Sequence, residues 1–148
     1  MKILLIEDEP EVAAALCRLL SERMEFVDCK IASTLAEGKR ASLEFCADLT
    51  VCDIMLEGST IDEVLEAIEE LKPPVVIVSA LVENNPELAD RCWVHGAKGV
   101  LSKRGLLDKI DSIHGIIQKA RFIDAVTGSH LRNTAPARLA EIKNGQGS

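Results

Sequence analysis

The chain has 148 residues, 47% of them hydrophobic, with 24 acidic against 17 basic side chains and a net charge of −7, and its length suits one domain with a single core and a tail left over. Residues 1–120 hold 13 basic and 22 acidic side chains, net −9, which argues against direct nucleic-acid binding by the body of the protein, because phosphate contacts need clustered positive charge. No apolar run approaches the roughly 18 residues that span a bilayer, and the N-terminus lacks the basic region and cleavage site of a signal peptide, so the expectation is a soluble cytoplasmic protein without a membrane partner.

The first apolar run, "KILLI" (2–6), stops at three consecutive carboxylates, Glu7, Asp8 and Glu9. Pro10 then suits the first turn of a helix led by Asp8 or Glu9, with Val12, Leu16, Leu19 and Leu20 as its inner face. Further runs, "FVDCKI" (26–31), "LTVCD" (49–53), "VVIVS" (75–79) and "GVLS" (99–102), are continuous rather than alternating, the habit of parallel strands buried on both faces. Between them lie segments of helical period. Ser33 or Thr34 caps the second helix, with Glu37 at capping-box spacing and Leu35, Ala36, Leu43 and Phe45 following. The third carries Ile61, Val64, Leu65, Ile68 and Leu71 and is stopped by Pro73 and Pro74. The fourth opens near Pro86 and ends at Gly96. A fifth starts at Gly105 with Leu106, Ile110, Ile113, Ile117 and Ala120 on one stripe. Extended to Val126 it would reach about 33 Å, longer than a domain of this size needs. The rest reads as linker or flexible tail, with a short helix at 136–143 at most.

Five cysteines (Cys17, Cys29, Cys46, Cys52 and Cys92) without a CxxC pair point to buried free thiols and to neither a disulfide framework nor a zinc site. Alternating strands and helices predict a doubly wound α/β sandwich with a five-stranded parallel sheet and helices on both faces. In such sheets function gathers at the carboxyl ends of the strands. That rim would collect Glu7 and Asp8 from the first strand, Asp53 from the third, Ser79 from the fourth, and Ser102 with Lys103 from the fifth. Taken singly, these are ordinary cap, turn or surface residues; their order and intervals together point to a site. Carboxylates brought this close repel by about 4 kcal/mol at 4 Å and an effective dielectric of 20, so the cluster needs cations. A hard divalent ion such as Mg²⁺ and the Lys103 ammonium would supply them. Such a site suits phosphoryl transfer with Asp53 as nucleophile.

"ILLIEDEP", "ADLTVCDIML", "VVIVSA" and "GAKGVLSK" resemble the signature stretches of the receiver domains of two-component response regulators, over about residues 1–122. The resemblance implies a flavodoxin-like sheet of order 2-1-3-4-5. It also implies that Asp53 accepts a phosphoryl group from a sensor histidine kinase or a histidine phosphotransfer protein. Asp8, Asp53 and the backbone carbonyl of Met55 would bind Mg²⁺, Glu7 would help through water, and Lys103 would pair with the phosphoryl group. The Ser79 hydroxyl would move to hydrogen-bond it, altering a surface near the fourth helix, fifth strand and fifth helix. Glu9 belongs to the helix start in this reading.

The chain departs from the family pattern at four places. Val100 stands where an aromatic residue often rotates during signalling, so no aromatic rotamer switch operates there. Arg104 replaces the usual proline after the lysine, and with it the reason for a cis bond, since a non-proline cis bond costs about 3 kcal/mol. Glu57 and Ile61 stand where proline and glycine are common. Met55 and Leu81 occupy the positions that flank the attacking water in the family; both are apolar, which predicts a long-lived phosphoryl group.

The expected organisation is a receiver domain over 1–122 and an extended helix end with linker over 123–148. Ile117, Ile123 and Val126 could pair two copies into a homodimer through the fifth helix. Trp93 is expected to pack on the fourth helix beside the switch surface. His95, His114 and His130 share no ligand spacing. Alternative functions are the regulatory part of a longer DNA-binding transcription regulator and a small Mg²⁺-dependent phosphohydrolase. The second lacks a cap domain, and Met55 stands where such an enzyme needs a second acid.

Overall fold

The apolar runs become strands in this computed structural model, which describes residues 1–104 together with Gly115, Ile116 and Lys119. The strands are β1 (Lys2–Ile6), β2 (Asp28–Ala32), β3 (Leu49–Cys52), β4 (Val75–Val78) and β5 (Gly99–Leu101). They alternate with the helices α1 (Pro10–Arg23), α2 (Leu35–Phe45), α3 (Ile61–Ile68) and α4 (Pro86–Val94), and a 3-10 turn spans Ala80–Val82. All pairings are parallel and the order is β2-β1-β3-β4-β5, as the family resemblance implies.

Because successive strand residues face opposite sides, each strand feeds two cores. Ile3 and Leu5 join Val51, Val76 and Val78 under Ala13, Leu16 and Leu20 of α1. Leu4 and Ile6 join Cys52 and Ile77 under α2, α3 and α4, where Val64, Leu65, Ile68, Leu88 and Trp93 are buried. Each such Leu or Ile contributes about 1.5–3 kcal/mol by leaving water, so the sheet centre is the most firmly held part of the fold. Ile116, in helical backbone, packs against the α1-side core. The remainder of the expected fifth helix, its dimerisation stripe, the tail, His114, His130 and the boundary at 122 lie outside the described residues.

The helix starts follow their sequence signals. Thr34, not Ser33, caps α2 by accepting from the Glu37 amide at 3.1 Å, while Glu37 Oε2 accepts from the Ser33 amide at 3.1 Å. Thr60 and Glu63 form a reciprocal capping box on α3 that the sequence reading did not single out. Among the described residues Pro73–Pro74 is the cis peptide bond; Lys103–Arg104 is not one.

Three expectations are corrected. Leu43 and Ala36 do not face the core: Leu43 is 82% exposed, and the buried face of α2 is Leu35, Gly38, Ala41 and Ser42. Two residues along a helix turn the side chain by about 200°, so burial of Ala41 puts Leu43 outside. The second strand begins later than "FVDCKI": Phe26 is exposed with φ +56°, and of β2 only Ala32 is buried because this strand pairs with β1 alone. Finally, the cysteines are not all free and not all buried. Cys17 of α1 and Cys29 of β2 form a disulfide with Cα atoms 6.2 Å apart, Cys46 is exposed, and only Cys52 and Cys92 are buried free thiols. The bridge joins a helix to an edge strand, a pairing that local motif spacing cannot express.

Candidate functional site

The sheet ladder continues for one hydrogen bond beyond each strand and thereby fixes the rim. The Glu7 amide donates to the Ala32 carbonyl, the Asp53 amide to Ile6 and the Ser79 amide to Leu101, each at 3.0 Å. Glu7, Asp53 and Ser79 therefore stand side by side on the carboxyl edge, with Glu7 only 2% and Asp53 only 5% exposed.

Two buried carboxylates side by side need a cation, and Lys103 supplies one. Its Nζ lies 2.8 Å from Asp53 Oδ2 and 3.0 Å from Glu7 Oε2. Burial pulls the Lys103 pKa down, but the hydrogen bonds to Asp53 and Glu7 outweigh it and the net shift is upward, so the ammonium stays charged. Burial pushes Glu7 up to about 7, the Lys103 hydrogen bond opposing and the Asp53 charge adding. The remaining Asp53 oxygen, Oδ1, accepts from the Met55 amide at 3.1 Å.

Asp8 is half-buried beside this pair, and its Oδ2 accepts from the Glu57 amide at 2.7 Å. Glu9 precedes α1 as expected, but its side chain caps no amide of that helix. Its carboxylate instead has oxygens within 4.8 Å of those of Glu7 and Asp8. The cleft over the rim has a volume of about 400 Å³ and is lined by Asp8, Glu9, Asp53, Met55, Ser79 and Lys103 among others. Its donors are carboxylate and carbonyl oxygens, the set that a hard divalent cation prefers, so the residues present fit Mg²⁺.

Ser79 Oγ accepts from the Leu81 amide at 3.3 Å, which holds the hydroxyl on its own 3-10 turn. Ser102, a neighbour of Lys103, accepts from the Arg104 amide at 3.2 Å. Thus Glu7, Asp8, Asp53, Met55, Ser79 and Lys103 lie together at one rim. The Glu57 amide and the Glu9 carboxylate are the additions; a backbone donor has no residue signature, and Glu9 reads equally well as a helix start. Trp93 packs in the core as expected. A second cleft, about 660 Å³, lies at the other pole, where α2, α3 and α4 end near Cys46, Glu69 and His95. His95 pairs there with Glu69 at 2.8 Å, away from the rim.

Comparison with known proteins agrees with this geometry. The chain is 30% identical over 109 residues to a candidate transcriptional regulator of Pseudomonas aeruginosa, covering 74% of this chain and 52% of that protein. It is 29% identical over 107 residues to the methanol utilization control regulatory protein MoxX of Paracoccus denitrificans, covering 70% of this chain and 47% of that protein. The chain thus spans about half the length of the curated relatives it matches. Its fold is similar to the signal receiver domain of a candidate LuxO repressor protein of Vibrio parahaemolyticus. The TM-score is 0.73 at 22% identity, over 86% of this chain and 97% of that one. The family model of the response regulator receiver domain matches residues 3–114. With the sheet order, the acidic rim and the bridging lysine all in place, the chain belongs to the response regulator receiver domain family.

Proposed function

We propose that the protein is a phosphorylation-controlled switch in which Asp53 takes a phosphoryl group from the histidine of a sensor kinase or histidine phosphotransfer protein. The observation that carries this reading is the Lys103 ammonium, shared between Asp53 and Glu7 at 2.8 and 3.0 Å on the floor of an open cleft. An Asp53 carboxylate oxygen attacks phosphorus, the P–N bond to the donor imidazole breaks, and the nitrogen keeps the bonding electrons. Lys103 stays beside the acceptor as a compact positive charge for the incoming phosphoryl oxygens. Asp8, Asp53 and the Met55 carbonyl would hold Mg²⁺, with Glu7 helping through water, and the bound ion would supply further positive charge against those oxygens. Ser79 exchanges its bond to the Leu81 amide for one to the phosphoryl group, drawing the 3-10 turn with it. A surface beside α4 and β5 changes its affinity for a partner or for a second copy through the fifth helix.

Receiver domains are signalling modules, not enzymes acting on metabolites, and the family match places the chain among them. A second reading has this domain controlling a transcription regulator through a further domain. Its support is the regulator names of two relatives, each about twice as long as the stretch it shares with this chain. In either reading the working compartment is the cytoplasm. Phosphorylation with acetyl phosphate and Mg²⁺, followed by intact mass and by hydrodynamic size, tests the proposal: one phosphoryl group is added to the wild type and none to Asp53→Asn.

A further inference from the structure

Resting on the reading of Ser79 and Lys103 as the groups that respond to the phosphoryl group, we propose that the Glu83–Arg104 ion pair is a positioning contact that holds the two responding loops in their resting spacing. Glu83 Oε1 and Arg104 Nη1 lie 3.2 Å apart. The backbone of each residue is tied to the loop of one of the two responding groups. The Glu83 amide donates to the Ala80 carbonyl at 3.4 Å, closing the 3-10 turn that begins beside Ser79. The Leu81 amide of the same turn donates to Ser79 Oγ. On the other side Arg104 follows Lys103 directly, and its amide is fixed on Ser102 Oγ at 3.2 Å. The strands beneath are already joined, Val78 pairing with Leu101 and the Ser79 amide donating to Leu101. Glu83–Arg104 is therefore a side-chain contact, among the described residues, that bridges the two loops above the sheet.

The contact is sensitive to motion of the turn. Its ends are 3.2 Å apart, so a displacement of about 1 Å carries them beyond the 4 Å at which an ion pair is counted. There is also room for that displacement. An open cleft of about 260 Å³ lies alongside, lined by Val82, Glu83, Ala89, Val100, Ser102 and Arg104. Val100 borders it, and a larger side chain there would fill part of this space. Val100 on β5 and Arg104 on the loop after it, both departures from the family pattern, thus meet at one place: Arg104 ties the loops, and Val100 leaves space for them to move. The Arg104 side chain is 83% exposed, so the pair is worth little in stability and acts as a bias, not a lock.

The bias favours the resting arrangement, so breaking it speeds acceptance of the phosphoryl group. The initial rate of Asp53 phosphorylation by acetyl phosphate is measured in Mg²⁺ for the wild type, Glu83→Gln, Arg104→Gln and the exchanged pair Glu83→Arg with Arg104→Glu. Each single variant is expected to be about two- to fivefold faster, the scale of a partly exposed ion pair. The exchanged pair is expected to return toward the wild-type rate. Raising the salt to 1 M is expected to erase the difference between wild type and single variants, because screening removes the contact in the wild type as well. Single variants at or below the wild-type rate, an exchanged pair as fast as the singles, or a difference that survives 1 M salt would each overturn the proposal. Asp53→Asn and Ser79→Ala run alongside separate the levels. If Asp53→Asn is phosphorylated like the wild type, or Ser79→Ala leaves beryllofluoride-induced changes intact, the underlying reading fails instead.

Discussion

The Glu57 amide donates to Asp8 Oδ2 at 2.7 Å, tying the acidic corner after β1 to the loop after β3. One Asp8 oxygen is thereby committed to shaping that loop, which carries Met55 past Asp53. Asp8→Ala removes both a carboxylate donor and the anchor of the loop. Calorimetric titration with Mg²⁺ is expected to show no binding by Asp8→Ala in the millimolar range. Glu9→Ala is expected to bind within about threefold of the wild type, because Glu9 is exposed and its charge acts on the site only through high-dielectric water, where it is worth less than about 1 kcal/mol. Wild-type affinity in Asp8→Ala would remove Asp8 from the site.

Met55 and Leu81 both line the cleft beside Asp53, and their side chains offer an attacking water nothing better than a weak thioether acceptor. The aspartyl phosphate should therefore persist. Replacing Met55 with Asn adds a side-chain amide that can orient water, and loss of the phosphoryl group should accelerate by up to about tenfold, the worth of one hydrogen bond of about 1 kcal/mol in the transition state. Equal decay rates in the wild type and Met55→Asn, followed by intact mass, would show that this position does not govern hydrolysis.

The cysteines should react in three classes. Cys46 is exposed and should be alkylated at once by iodoacetamide at pH 8. Burial pushes the Cys92 thiol up to about 12, Arg91 opposing it. Its thiolate fraction at pH 8 is then about 1 in 10⁴, against about 1 in 4 for an ordinary thiol. Cys52 is raised further, by burial first and then by the negative charges of Asp53 and Glu7. Both should stay unlabelled until the protein unfolds, while Cys17 and Cys29 should label only after reduction. Peptide mapping that finds Cys52 or Cys92 labelled in the native protein would contradict their burial.

Gly38 lets α2 approach the sheet. A Cβ built at this position meets Ile6 Cδ1 at 2.5 Å and Cγ1 at 2.8 Å, and Ile6 is fully buried and branched at Cβ, which leaves it few other rotamers. Gly38→Ala gains about 1 kcal/mol in helix propensity, but overpacking costs about 1–3 kcal/mol. The net expectation is destabilisation by about 1 kcal/mol, read as a lower urea midpoint. A raised midpoint would mean that Ile6 yields freely.

Most of the fold was legible because its signals are local. Apolar runs such as "VVIVS" announce buried strands, and Pro10, Thr34 and Gly96 mark helix ends. The rim was legible because strand ends and topology together place Glu7, Asp53, Ser79 and Lys103. What escaped depends on tertiary geometry. Leu43 looks like a core residue until the closeness of Gly38 to Ile6 fixes how α2 is rotated. "FVDCKI" looks buried until β2 is seen to be the edge. The disulfide pairs cysteines that meet only once α1 lies across β1 and β2. The Glu83–Arg104 pair joins two loops whose approach is set by the strands beneath them.

The central claim is that Asp53 is the phosphoacceptor, and the most direct measurement is intact mass after incubation with acetyl phosphate and Mg²⁺. The account predicts one added phosphoryl group, released by hydroxylamine as an acyl phosphate should be, absent in Asp53→Asn and absent when EDTA replaces Mg²⁺. An equal phosphoryl adduct on Asp53→Asn, or an unmodified wild-type protein under the same conditions, would contradict it.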